Sequence, residues 1–274
     1  MSHRGNSAEH SNRWRPAPFI SASVVAHVAA AGLLAVRPAA WPWALTALLA
    51  DHAVLTAAGL WPRSSLLGPN WTRLSAAATA RGEVALTIDD GPEPEVTPLL
   101  LDMLDRRGAR ATFFCIGEKV AAQPALARDV IRRGHSIENH SQRHLRHFSL
   151  LGPQAMAAEI VAAQAVISEV VGVAPRFFRA PAGLRNPFLE PILARLGLRL
   201  ASWTRRGFDT VTHRPAVVLA RLTRGLGAGD ILLLHDGHVT RSEAGQPVVL
   251  EVLPALLNEM AARGLSSVTL GAAC

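Results

Sequence analysis

From about residue 84 onward, short apolar runs alternate with amphipathic segments, and most of the runs end on polar, reactive residues. VALTI (84–88), ATFFCIG (111–117), SIEN (136–139), RFFRA (176–180), LRLASW (198–203), DILLLH (230–235) and SSVTL (266–270) read as strands. Between them, EVTPLLLDMLDRRG, AAQPALARDVIRRG, PQAMAAEIVAAQAVISEVVG, PFLEPILARLG, RPAVVLARLTRGLG and PVVLEVLPALLNEMAARG carry apolar residues at helical spacing, each closing on a glycine. Mostly apolar strands separated by helices call for a parallel sheet covered by helices. Seven such strands suit an α/β fold closed into a distorted (β/α)7 barrel. An open doubly wound sheet is the competing arrangement.

In a parallel architecture the carboxyl ends of all strands share one face, where barrel sites are built. Asp89 and Asp90 end the first run, His140 and His144 follow the third, and Arg179 closes the fourth. Asp209 lies beyond the fifth, and His235 ends the sixth. His140 and His144 are four apart, which on one helix face or turn separates their β-carbons by about 5–6 Å. Two imidazoles so placed can meet one cation such as zinc. The chain has 11 histidines, so spacing alone does not separate a ligand pair from a polar surface. A carboxylate from elsewhere completes the shell, and Asp90 supplies it. Two histidines and one carboxylate leave coordination positions open, the mark of catalytic rather than structural zinc. Cobalt, nickel or manganese would accept the same donors.

Asp89 and Asp90 are adjacent and cannot both point the same way without strain. That favours a division of labour, one carboxylate on metal and one on water; the alternative is a cap on the helix that follows Gly91 and Pro92. His235 is suited to protonating a leaving group. Arg179 is suited to fixing Asp89 or to binding an acidic substrate. A buried, hydrogen-bonded histidine and a rim salt bridge are the plainer readings of these two.

The composition changes near residue 80. FISASVVAHVAAAGLLAV (19–36) has 18 residues and one histidine, at the short end for a bilayer span. A second apolar run, about 41–60, carries Asp51 and His52 near its middle. An aspartate there costs roughly 2.5–3.5 kcal/mol on insertion scales, so it should face the partner helix. A membrane hairpin turning at RPAAWPW follows, with Trp41, Trp43 and Trp61 at the interfaces. Residues 1–80 then form an anchor touching lipid through residues 19–60, and residues 81–274 the catalytic domain. With both flanks on one side, Arg4, Arg13, Arg15, Arg63 and Arg73 indicate the cytoplasmic face of a bacterial inner membrane. A single span would send the body to the periplasm, and a surface-lying helical pair would merely cap it.

The net charge of +7 is nearly all arginine, with Lys119 the only lysine. No zinc finger, aromatic-interleaved basic patch or basic tail accompanies it, so nucleic acid is not an expected partner. Two cysteines exclude a disulfide scaffold, and Cys115 reads as a small core residue.

LTIDDGP (86–92), ENHSQRH (138–144), RAPAG (179–183) and LLH (233–235) stand in the order of four signature motifs of one family. They resemble those of the NodB-homology polysaccharide deacetylases, carbohydrate esterase family 4. The resemblance implies a distorted (β/α)7 barrel that hydrolyses N-acetyl groups of amino sugars with one divalent metal. It implies Asp89 as base, Asp90, His140 and His144 as metal ligands, His235 as general acid and Arg179 as the residue positioning the base. The expected substrate is an N-acetylated polysaccharide, oligosaccharide or lipid-linked glycan, and the Ala182 N–H would face the oxyanion. Hydrolysis of another acyl or phosphoryl bond, or a membrane-associated carbohydrate-binding protein with an inert site, are the alternatives. Two departures stand out. Ala182 replaces the usual aromatic of the third motif. RGFDT (206–210) replaces D-x-x-D-W, keeping only Asp209, so support for His235 comes from Asp209 or from elsewhere.

Overall fold

The computed structural model describes residues 14–274, so Arg4 and Arg13 lie outside the described residues. Two long helices come first, α1 (Pro18–Val36) and α2 (Trp41–Leu60), joined by a single turn at Pro38–Ala40. Proline in the first turn starts each of them, where its missing N–H is harmless. Both are long and apolar enough to cross a membrane. They expose Val24, Val25, Val28, Leu45, Leu49 and Val54, a surface that water does not favour. Asp51 turns toward the partner helix as expected, accepting a hydrogen bond from Ser23 Oγ at 2.7 Å. The rings of His27 and His52 meet at 3.2 Å between Nε2 atoms.

The body is a curled parallel sheet wrapped in helices. Its strands are β1 (Glu83–Asp89), β2 (Ala111–Cys115), β3 (Ser136–Asn139), β4 (Phe177–Phe178), β5 (Arg199–Leu200), β6 (Arg205–Arg206), β7 (Ile231–His235) and β8 (Ser266–Ser267). Their order is β5-β4-β3-β2-β1-β7-β6, with β8 beside the start of β1. LRLASW is therefore not one strand. Its first half pairs with β4, the chain then bends, and residues 205–206 pair with β7. The chain between β5 and β6 thus spans the gap between the two edges of the curled sheet, which do not pair with each other. The last run contributes only Ser266 and Ser267, at the end of β1 remote from Asp89.

Side chains alternate across the sheet. On β1, Leu86 and Ile88 face outward into the main core, with Phe113 and Cys115 of β2 and Leu232 and Leu234 of β7. That core is completed by α4 (Thr97–Arg106), α6 (Pro124–Arg132), α7 (Pro153–Val171), α9 (Pro215–Thr223) and α10 (Val248–Ala262). Cys115 is buried there, as its apolar neighbours implied. The other face carries Ala85, Phe114, Phe177, Ile231 and Leu233 into the barrel interior. Thr87, Asp89 and His235 follow the same alternation, so they point inward too.

AAQPALARDVIRRG is two helices rather than one. Pro124 has no N–H to continue the first, so α5 (Gly117–Ala122) stops and α6 restarts. Although α7 is also apolar enough to span a membrane by length and composition, it buries Met156, Ile160, Ala163 and Ile167 against the body.

The end of α2 and the stretch after it are stitched to the barrel. Arg185 N–H donates to Gly59 O at 3.1 Å, and Trp71 N–H to Leu200 O at 2.8 Å. Ser202 N–H returns to Trp71 O at 2.8 Å. Leu74 and Ala78, the latter on α3 (Ala76–Ala80), sit in the interior cluster with Phe177 and Trp203.

Candidate active site

Asp89 and His235 are direct neighbours on parallel strands, Asp89 opposite His235 in the β1–β7 register. Strand alternation sends both into one pocket, which Asp90, His140, His144, Ala182, Trp203, Arg206 and His238 also line. Asp90 joins its neighbour only because its φ is 77°, in the left-handed region. The strain foreseen for an adjacent carboxylate pair is therefore present, at roughly 1–2 kcal/mol for a non-glycine residue. His144 (φ 52°), Ala182 (φ 55°) and His238 (φ 51°) adopt the same conformation. Strained backbone gathers where side chains must be aimed.

His140 and His144 do not lie on a helix. The segment is a bend held by its own side chains: Ser141 N–H donates to Asn139 Oδ1 at 2.9 Å, and His144 N–H to Ser141 Oγ at 3.1 Å. The bend brings both rings to one carboxylate oxygen. Asp90 Oδ1 lies 3.2 Å from His140 Nε2 and 3.3 Å from His144 Nε2. It is buried and has no hydrogen-bond partner among the described residues. Ligands about 2.0–2.1 Å from one tetrahedral ion have donor atoms roughly 3.3 Å apart, so the trio fits a divalent cation. His140 Nδ1 sits 2.8 Å from Arg179 O. A carbonyl only accepts, so Nδ1 carries the proton and Nε2 is free to ligate. For Asp90, burial opposes ionisation, but the adjoining His140 and His238 imidazoles override it and hold the carboxyl far below the carboxylate range. Burial, reinforced by the charge of His140, pushes His144 down to about 4.

Arg179 is buried, and its donors are met by protein. Nη1 donates to Asp89 Oδ1 at 2.6 Å and to Thr87 Oγ1 at 2.8 Å. Nε reaches Ala201 O at 3.2 Å and Nη2 reaches Ser202 O at 2.9 Å. Of its two expected uses, the geometry supports fixing Asp89 and leaves little for a substrate anion. The second oxygen of Asp89 lies 3.8 Å from His140 Nε2, beside the ligand trio.

Asp209 grips His235 twice. Its Oδ1 lies 2.9 Å from His235 Nδ1, and its Oδ2 accepts the His235 backbone N–H at 2.8 Å. Support for the histidine therefore comes from Asp209, although the rest of that motif has changed. Burial alone would lower the His235 pKa, but the Asp209 carboxylate outweighs it and the net shift is upward. Ala182 lines the pocket from the turn Pro181–Gly183. The next residue must be glycine: Gly183 has φ 74°, and an added Cβ would lie 2.5 Å from Trp203 and 2.8 Å from Pro62.

Sequence reasoning missed His238, whose Nδ1 lies 3.1 Å from Asp90 Oδ2. It sits in a loop past the strand end, where no spacing rule reaches it. Gly91 is required by the buried Asp236 carboxylate, whose oxygen lies 2.2 Å from where a Cβ would be.

The barrel thus gathers histidines and carboxylates at its strand ends, an arrangement suited to hydrolysis. Residues 76–201 match the family model described as polysaccharide deacetylase. A peptidoglycan-N-acetylglucosamine deacetylase of Bacillus cereus is 31% identical over 188 residues, covering 68% of this chain and 85% of the relative. A chitooligosaccharide deacetylase of Bradyrhizobium sp. is 36% identical over 158 residues, covering 57% and 71%. The family 4 carbohydrate esterase from Streptomyces lividans, solved with acetate, aligns with a TM-score of 0.61 and 33% identity, covering 68% of this chain and 91% of that one. The chain belongs to the polysaccharide deacetylases, the NodB-homology enzymes of carbohydrate esterase family 4, and is a hydrolase of that class.

Proposed function

We propose that this protein removes the acetyl group from an N-acetylated amino sugar of a cell-envelope glycan. One observation carries the reading: a clamped carboxylate, Asp89, and a carboxylate-held imidazole, His235, stand side by side beside the unsatisfied Asp90 oxygen. Names of relatives that act on peptidoglycan and chitooligosaccharides support the substrate class.

In this reading Asp89 takes a proton from water, whose oxygen bonds to the acyl carbon. Arg179, bonded to one Asp89 oxygen, keeps that carboxylate aimed. His235, protonated and held by Asp209, delivers a proton to the sugar nitrogen as the C–N bond breaks, releasing acetate and the amine. The Ala182 backbone N–H is assigned to the developing oxyanion. Asp90, His140 and His144 would hold one divalent cation, zinc first and cobalt, nickel or manganese as alternatives, which supplies Lewis acidity to the acyl oxygen and water.

The α1–α2 hairpin is assigned as the anchor in a bacterial inner membrane, with residues 61–80 as a strap packed on the catalytic body. Arg15, Arg63 and Arg73 flank it, against Arg37 alone in its turn, which favours the body on the cytoplasmic side. Fusions of a reporter after Cys274 that is active in only one compartment test the side. The activity is tested by mass spectrometry of N-acetylated glycans before and after the metal-loaded enzyme. Loss of one acetyl mass per modified sugar is expected; unchanged chitooligosaccharide, peptidoglycan fragments and lipid-linked N-acetyl sugars would refute the function.

A further inference from the structure

Three neighbouring recesses with shared lining residues lead from the side of α2 to the catalytic pocket. The first is a groove of about 840 Å³ lined by Val54, Ala57, Ala58 and Leu66, with Arg63 and Thr204 at its inner end. Trp61, Arg63 and Thr204 also line the next recess, together with Trp203, Arg206 and Phe208. Trp203 and Arg206 in turn line the pocket that holds Asp89 and His235. Along this line the chemistry changes from apolar to cationic to catalytic.

The cationic middle is unusual. Arg206 Nε is buried without a hydrogen-bond partner, and among the described residues no carboxylate pairs with this guanidinium. It is held instead between two rings, 5.4 Å from the centre of Trp203 and 4.9 Å from that of Phe208. Stacking fixes the plane but leaves the N–H fork unanswered, and such a fork matches a phosphate. Among the described residues Arg63 reaches only Thr204 O, at 3.5 Å. Arg73 is different: it is occupied by Asp230 at 3.1 Å. Arg206 is also the residue that replaces the first acid of the family's fourth motif, so an anion is welcomed where the family pattern would repel one.

We infer that the substrate of this site is an N-acetylated sugar joined through a phosphate or pyrophosphate to a long hydrocarbon chain. The chain lies in the α2 groove, the phosphate meets Arg206 and Arg63, and the sugar amide reaches Asp89 and His235. The order tail, anion, sugar is that of a glycolipid phosphate, and the groove opens beside the helix proposed to lie in the bilayer. Contact between Gly59 and Arg185 holds α2 against the barrel, which fixes the distance between tail groove and catalytic pocket. This inference rests on the deacetylase reading and specifies its substrate.

Two measurements on the full chain in detergent micelles test it. Deacetylation is compared for a prenyl-pyrophosphate-linked N-acetylglucosamine, N-acetylglucosamine 1-phosphate and chitotriose. Binding of prenyl phosphate without sugar is measured separately by native mass spectrometry, which needs no catalysis. We expect kcat/KM for the prenyl substrate to exceed that for the other two. Each arginine–phosphate contact is expected to contribute about 10–100-fold. Arg206→Gln and Ala57→Trp should each lower the ratio of prenyl-linked to water-soluble activity by about tenfold or more and should weaken prenyl phosphate binding. Chitotriose turned over as well as the prenyl substrate would overturn the inference while leaving the deacetylase reading intact. So would prenyl phosphate binding that is absent or the same in wild type and both variants. Prenyl phosphate bound through Arg206 and Ala57 with no acetyl released from any substrate would uphold the groove and sink the deacetylase reading.

Discussion

Asp209 is the most informative residue to change, because it alone survives from the acidic motif and touches His235 twice. In Asp209→Asn, one of the two ends of the side chain becomes an NH2 group. Whichever end it is, it faces a donor, either His235 Nδ1–H or the His235 backbone N–H. Hydrogen bonds to a charged acceptor are worth about 1.5–3 kcal/mol each, and a buried unsatisfied donor costs about 1–3 kcal/mol. Asp209 is 2% exposed, so solvent repairs little, and we expect about 3–5 kcal/mol of destabilisation. For a chain of this size that lowers Tm by roughly 6–20 °C. The sign with pH follows from the raised pKa of His235. A raised folded-state pKa contributes stability that is fully present below the unfolded histidine value of about 6.5. That contribution fades as pH rises through the folded value, so the loss in Asp209→Asn should be largest in acid and shrink in alkali. Catalysis should fall by about 10²–10⁴-fold, the usual worth of a general acid. The alkaline limb of the pH–rate profile should move to lower pH, because the charge holding the imidazolium is gone. Metal content, measured in parallel, should not change. Turnover within a few-fold of wild type with an unmoved alkaline limb would refute the assignment of His235 and its support.

Three further outcomes follow from the same geometry. His140→Ala together with His144→Ala should lose both bound metal and activity, since an open three-ligand site has no spare donor; stoichiometric metal retained by elemental analysis would sink the ligand set. Asp89→Asn should keep its metal yet lose about 10²–10⁴-fold in kcat, and near wild-type turnover would remove Asp89 as the base. The full chain should stay in carbonate-washed membranes, and a chain starting near Trp61 should fold and be soluble. A chain starting near Arg81 lacks Leu74, Ala78 and Trp71, and truncating one buried large side chain already costs about 2–5 kcal/mol. A chain from Arg81 as stable to urea as one from Trp61 would show that the strap is dispensable.

Much of the site was legible in the chain because two local rules carried it. The alternation of apolar runs and helical segments fixed a parallel α/β body, and a parallel body puts Asp89, Arg179, Asp209 and His235 at one rim whatever its exact closure. The motif order then assigned roles to Asp90, His140 and His144. Where the reading went astray, a nonlocal contact had the deciding influence. LRLASW looks like one strand, but only Arg199–Leu200 pairs, with β4, and the chain bends before residues 205–206 pair with β7. The four-residue histidine spacing allowed a helix face or a turn; here local bonds accepted by Asn139 Oδ1 and Ser141 Oγ shape a bend rather than a helix.

By itself, then, the sequence determined the class of fold, the rim on which polar side chains gather and which side chains meet there, because periodicity and donor type are properties of the chain. Tertiary structure alone decided that two adjacent carboxylates share a pocket, through a left-handed Asp90. It also decided that Asp209 holds His235 by both oxygens, that His238 reaches Asp90, and that a stacked Arg206 links an apolar groove to the catalytic pocket. Each of these depends on where segments far apart in sequence come to rest, and distance in space is not written in any local pattern.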